Sequence, residues 1–207
     1  MTALARPASD EYAAYYGTYI GKVPDTDVLT LMQAQGEKTL TLLAPLSESR
    51  AAYRYAPGKW SVKQVLGHVI DGERLFAHRA LAIARCDPAD QPSMDQEIWM
   101  AGADFDARSM GSLCDEYRAV RTATLALFRS FDAKVALRRG KASGGWPNHP
   151  VPGLASRGSA TVLTPTKKSS GQTCPAGTTA WLPRKVFRPS RVVRRAIVPR
   201  CTSGEAR

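Results

Sequence analysis

Acidic residues all but disappear from the last third of this 207-residue chain: beyond Gly140 stands one, Glu205, against 12 Lys and Arg, while residues 1 to 140 hold 17 of each sign. The net charge of +11 therefore belongs to the tail. The neutral front part lacks the basic face that nucleic acid or an anionic membrane selects. Cysteine is scarce as well. Cys86, Cys114, Cys174 and Cys201 stand far apart with no Cys-x-x-Cys spacing, which argues against a zinc knuckle or a disulfide framework and leaves free or buried thiols. No run of about 18 apolar residues exists, and Met1–Asp10 has one Arg and no apolar stretch. The expectation is a soluble, cytoplasmic protein with neither membrane span nor secretory signal. Gly-x-Ser-x-Gly, a Gly-rich phosphate loop and His-x-x-x-His are also missing, which speaks against a nucleophile elbow, a nucleotide cradle and a paired-histidine metal helix.

What the front part does have is helical periodicity over a length suited to one domain. Asp25-Thr26-Asp27 predicts a helix start, and Val28, Leu31, Met32, Gln35, Leu42 and Leu43 recur at helical spacing until Pro45 ends it. Ahead of it Tyr12, Tyr15, Tyr16, Tyr19 and Ile20 form an aromatic lead-in suited to packing across helices. Ser61 stands three residues before Gln64, a capping box that opens a second helix running to about Arg85. On it Val62, Val65, Val69, Phe76, Ala80 and Ile83 fall within one arc, the expected buried stripe. Cys86 to Asp106 reads as a long loop with a helical turn at Asp95 to Met100. Ser109 caps a third helix in which Met110, Leu113, Tyr117, Val120, Thr124, Leu127 and Phe131 step by threes and fours, closing by Arg138-Arg139-Gly140. No segment of the front part alternates with period two. Beyond Gly144 the periodicity stops, and Arg, Pro, Gly, Ser, Ala and Thr fill 44 of the last 67 positions. The fold class expected is all-α, an antiparallel helical bundle followed by a disordered tail over residues 144–207.

Few residues are suited to chemistry. His68 lies at the edge of the buried stripe, where a histidine is either a packed side chain or a metal ligand. Ligation would need a second and third donor, because a catalytic zinc-type site takes three protein ligands. His78 falls on the side away from the stripe, toward solvent, and His149 stands between two prolines in the tail. Asp71, three residues after His68, shares its flank and is otherwise a solvated helix acid. Glu73 falls close to the apolar arc, where a carboxylate needs a cavity or a partner such as an Arg of the bundle.

The segment from Tyr53-Arg-Tyr-Ala-Pro-Gly-Lys-Trp60 through Gly-His68-Val-Ile-Asp71-Gly-Glu73 to Ala-Ile-Ala-Arg85 resembles the second-helix signature of the DinB-like superfamily. The resemblance extends forward through Met94-Asp95-Gln96, Arg108-Ser109 and Val120-Arg121, and back to Tyr15-Tyr16, Ile20 and Pro24-Asp25. It covers residues 12–143. It implies an up-down-down-up four-helix bundle with a divalent metal, zinc or nickel, held by one histidine on the second helix and a His-x-x-x-His on the fourth. It also implies a metal-dependent hydrolase or a thiol S-transferase using mycothiol or bacillithiol, so that a small-molecule thiol or electrophile is the partner; a homodimer is a separate expectation, from the apolar stripe that a missing helix would leave uncovered. By position His68 is the second-helix ligand, with Asp71 and Glu73 placed to orient a ligand or proton from behind the metal. The two fourth-helix histidines have no counterpart. That helix should begin where the chain turns into Pro, Arg, Ser and Thr, a composition that an out-of-frame stretch of GC-rich DNA would leave. Metal binding is accordingly expected to be weak or absent and the activity impaired. A metal-free self-association module is the alternative. Binding of nucleic acid by Arg184, Lys185, Arg188, Arg191, Arg194, Arg195 and Arg200 ranks below it.

Overall fold

Asp27 opens the first helix as the sequence predicts: its Oδ2 accepts hydrogen bonds from the Thr30 amide at 3.0 Å and the Thr30 hydroxyl at 2.7 Å. This computed structural model describes residues 27–142 apart from 92 and 93, isolated positions before them (7, 17, 20, 21, 23 and 24), and the backbone of 146–150; the side chains of 141 and 142 lie outside that description. Helix α1 spans Val28–Leu43 and a single turn, α2, spans Glu48–Ala51. Helix α3 spans Val62–Ala84 and carries the complete capping box, with Ser61 Oγ accepting from the Gln64 amide and Gln64 Oε1 accepting from the Ser61 amide, both at 3.0 Å. The expected turn in the long loop is α4, Gln96–Ala101, capped by Asp95. Helix α5 spans Met110–Arg129.

Two apolar clusters join these helices. One gathers Val28 and Met32 of α1, Ala80 and Ile83 of α3, Leu125 and Phe128 of α5, and Phe131. The other gathers Val65, Leu66, Val69 and Ile70 of α3 with Met100 of α4, Phe105, and Leu113 and Tyr117 of α5. The buried surface of α3 is therefore wider than the single stripe expected. Leu66 and Ile70 are fully buried, whereas Val62 and Phe76 are only half-buried. A helix with neighbours on more than one side buries more than one row of side chains.

The third bundle helix is shorter than the spacing predicts. It stops at Arg129, where the Ser130 hydroxyl donates to the Leu127 carbonyl at 2.7 Å. Asp132 then caps a new turn, α6, Ala133–Ala136, by accepting from the Val135 amide at 2.7 Å. Between them Phe131 turns into the core, edge-on to Phe128 with centroids 5.8 Å apart. A second departure follows. Arg139–Ala142 (β1) pairs antiparallel with Trp146–Pro150 (β2), Arg139 opposite Pro150 and Gly140 opposite His149. Period-two patterning fails at strands this short, and β2 lies beyond Gly144, where no regular element was expected. The hairpin is seated on the end of α3: a Cβ on Gly140 would stand 2.4 Å from Ile83 Cγ1, and Arg138 Nη1 donates to the Ala84 carbonyl. This hairpin aside, the described chain is a helical bundle. The remainder of the tail and the tyrosines 12, 15, 16 and 19 lie outside the described residues, while Ile20 is buried.

Candidate functional site

His68 sits on the second turn of α3 and is 2 % exposed. Its neighbours come from both sides of the capping box. The Trp60 indole lies with its centroid 5.1 Å from the imidazole, tilted by 52°. The adjacent Gly67 admits the Phe105 ring so closely that a Cβ would stand 2.4 Å from it. Phe105 is held there through Asp106, which accepts from Ser61 Oγ and Arg54 Nη2, while Lys63 Nζ donates to its carbonyl at 3.3 Å. The loop that follows α4 is thereby strapped across the start of α3, beside His68. Burial pushes the His68 imidazole down to about 4. The ring is neutral at physiological pH and keeps a lone pair, the form that a metal ligand requires.

Asp71 and Glu73 part company. Asp71 is half-buried one turn from His68, with Arg74 Nη1 3.8 Å from its carboxylate. Burial raises its pKa, against the opposing charges of Arg74 and Arg108. Arg74 itself leans toward Glu116, at 2.5 Å, and Arg108 binds the other oxygen of that carboxylate. Glu73 follows His68 by five residues, about 140° around the helix, and faces α5. Arg121 grips it there, Nη2 at 2.7 Å and Nε at 3.1 Å from Oε2, while Arg121 Nη1 donates to the Met32 carbonyl of α1 at 2.8 Å. Glu73 is thus the ion pair with a bundle arginine, and it does not share the flank of His68. Sequence reasoning passed over Arg121, although its spacing of four from Tyr117 places it on the buried row of α5. His78 is exposed, as expected, and His149 belongs to β2.

Among the described residues no three His, Cys, Asp or Glu side chains come together as a metal site would need. Among the described residues the donors on this flank of α3 are the neutral His68 imidazole and the half-buried Asp71 carboxylate, with Glu73 committed to Arg121. These residues do not fit a complete three-ligand metal centre, and no catalytic step can be built through one.

The lineage is settled by comparison. The family model of the DinB superfamily matches residues 31–161, more than half of the chain. The chain belongs to the DinB superfamily. The match begins within α1, takes in the hairpin and runs past Gly144. Two solved DinB-like structures share the fold. YfiT from Bacillus subtilis, described as a probable metal-dependent hydrolase with an unusual four-helix bundle topology, is 15% identical with a TM-score of 0.54, over 65% of this chain and 80% of that one. The mycothiol-dependent maleylpyruvate isomerase is 11% identical with a TM-score of 0.54, over 67% of this chain and 59% of that one, so less than two-thirds of that isomerase is spanned. No curated protein sequence matches.

Proposed function

We propose that this DinB-superfamily chain descends from a divalent-metal-dependent hydrolase or low-molecular-weight-thiol S-transferase and retains His68, the second-helix ligand, without the two donors that completed the centre. The observation that carries this reading is the contrast at α3. His68 is buried and neutral, as a ligand would be, yet no second and third donor meet it among the described residues. The tail supports the same reading through its composition, 12 basic residues to one acid after Gly140, which suits an out-of-frame replacement of the fourth helix. On this reading the chain is a cytoplasmic, catalytically impaired relative of enzymes that act on small thiols or electrophiles. Zinc or nickel is the family metal and is bound weakly.

Equilibrium dialysis against zinc and against nickel tests the proposal. Substoichiometric metal, unchanged by His68→Ala, is expected. Equimolar metal that is lost on His68→Ala would overturn it. Resequencing the coding DNA from codon 130 tests the origin of the tail, because a His-x-x-x-His on an amphipathic helix in another frame is the expected result. A second reading, a metal-free self-association module, is favoured by the exposed apolar side chains of α4, Ile98 at 68% and Trp99 at 39%. Size-exclusion chromatography distinguishes it by a dimer that forms without metal.

A further inference from the structure

The stretch that joins α3 to the Phe105 strap carries charge of one sign only. From Cys86 to Asp106 there are six acids, Asp87, Asp90, Asp95, Glu97, Asp104 and Asp106, and neither Lys nor Arg. The other residues up to Gly140 then hold 11 acids against 17 bases, so the acidic excess of the front part is local to this stretch. Asp106 is taken up by Ser61 and Arg54, whereas Asp87, Asp90, Asp95, Glu97 and Asp104 are exposed. Helix α4 lies in the middle of the stretch. It packs Met100 into the cluster of Val65, Leu66, Val69 and Ile70, and it turns Ile98 and Trp99 outward. Its outer surface is therefore apolar and bordered in sequence by carboxylates.

A locally polyanionic surface with an apolar centre selects a segment that intersperses cationic with apolar side chains. Such a segment is part of this chain. Arg184 to Arg200 holds seven bases and no acid, with Val186, Phe187, Val192, Val193, Ile197 and Val198 between them. These residues lie outside the described part of the structure, but the point at which the chain leaves it is fixed. Pro150 pairs with Arg139, and the neighbouring Arg138 donates to the carbonyl of Ala84, two residues before the acidic stretch begins at Cys86. Between Pro150 and Arg184 stand 33 residues. A flexible coil of that length has an r.m.s. span of about 30 Å. Helix α3, against which α4 packs, has 23 residues and is about 34 Å long.

We propose that residues 184–200 dock within the same chain on the outer surface of α4, their Arg and Lys side chains meeting the exposed carboxylates and their apolar side chains covering Ile98 and Trp99. The tether is long enough to reach α4 and short enough to hold the segment there at high effective concentration. Single exposed ion pairs are weak, so the contact needs several carboxylates together with the apolar side chains. It depends on charge and apolar content alone, and therefore holds whichever frame encoded the tail and whether or not His68 meets a metal. Salt releases the segment, and α4 is then open to a second copy.

Paramagnetic broadening by a nitroxide on Cys201, one residue beyond the segment, tests this in the full chain carrying Cys86→Ser and Cys174→Ser, since Cys114 is buried and escapes labelling. At about 0.1 M salt the nitrogen-15 amide signals of residues 95–101 are expected to lose intensity, and to recover it at about 1 M, where the Debye length is about 3 Å. The Asp90→Asn/Glu97→Gln/Asp104→Asn variant, which keeps Asp95 as the cap of α4, is expected to show no loss at either salt while its α5 signals keep their positions. Should that variant not fold, the salt comparison on the unaltered loop decides. Full intensity over 95–101 at low salt overturns the proposal, as does a loss that persists at 1 M. A loss that is equal when nitroxide and nitrogen-15 are placed on different chains assigns the surface to a second copy and overturns it as well.

Discussion

At the scale of single residues the bundle holds three buried ionisable groups in two opposite ways, Arg121 and Glu73 as an ion pair and His68 alone. Arg121 and Glu73 are charged and paired at 5% and 4% side-chain exposure. Removing one partner leaves the other charge buried alone, so Arg121→Met is expected to cost about 3–5 kcal/mol in urea denaturation, and the Glu73→Leu/Arg121→Met double variant to regain most of it. A double variant as unstable as the single one would mean that the charges are not what Arg121 contributes. His68 is buried without charge. Its folded pKa of about 4 lies below the ordinary 6.5, so the unfolded chain takes up the proton first as pH falls. The stability tied to the neutral ring is whole above about pH 6.5 and is lost progressively between 6.5 and 4, amounting to about 3 kcal/mol. His68→Gln is expected to flatten the fall in urea midpoint between pH 7.5 and 4.5. Identical slopes in the two proteins would show that His68 protonates freely in the folded chain.

At the scale of elements the strap over the start of α3 decides how the loop after α4 is held. Asp106→Ala removes the acceptor of both Ser61 Oγ and Arg54 Nη2, and Gly67→Ala drives a methyl group into the Phe105 ring. Each change is expected to raise amide exchange across residues 96–107 while α5 keeps its protection, with Gly67→Ala costing about 1–3 kcal/mol through overpacking. Uniform loss of protection over the bundle would mean that the strap belongs to the global fold. The same elements show what was legible. Helix starts were plain because Asp27, Ser61, Asp95 and Ser109 cap through their own side chains, which is local chemistry. The end of α5 was not plain. Phe131 continues the apolar spacing, and only the new cap at Asp132 breaks it. The hairpin was invisible because Gly140 is chosen by its contact with Ile83, a packing constraint from a distant element. His68 and Asp71 were readable from helical phase, whereas the commitment of Glu73 depends on Arg121, 48 positions away.

At the scale of the whole molecule the uneven charge separates two modes of association. A fourth helix of about 20 residues would bury about five large apolar side chains, worth about 10 kcal/mol, as much as the net stability of an ordinary domain. Among the described residues α4 presents Ile98 outward at 68% exposure and Trp99 at 39%. On the self-association reading, apolar surface of this kind meets its own copy. The residues up to Gly140 balance 17 basic against 17 acidic side chains, so contact between two bundles has little net charge to screen. The tail, with 12 basic residues to one acid, can attract only a polyanion, and that attraction weakens as the Debye length falls from about 10 Å at 0.1 M salt to about 3 Å at 1 M. Sedimentation equilibrium of the nucleic-acid-free protein at both salt concentrations is therefore expected to give a dimer whose dissociation constant is unchanged or lower at 1 M. A dimer that dissociates at high salt would instead place the contact in the charged tail and remove the apolar surface of the bundle as its cause.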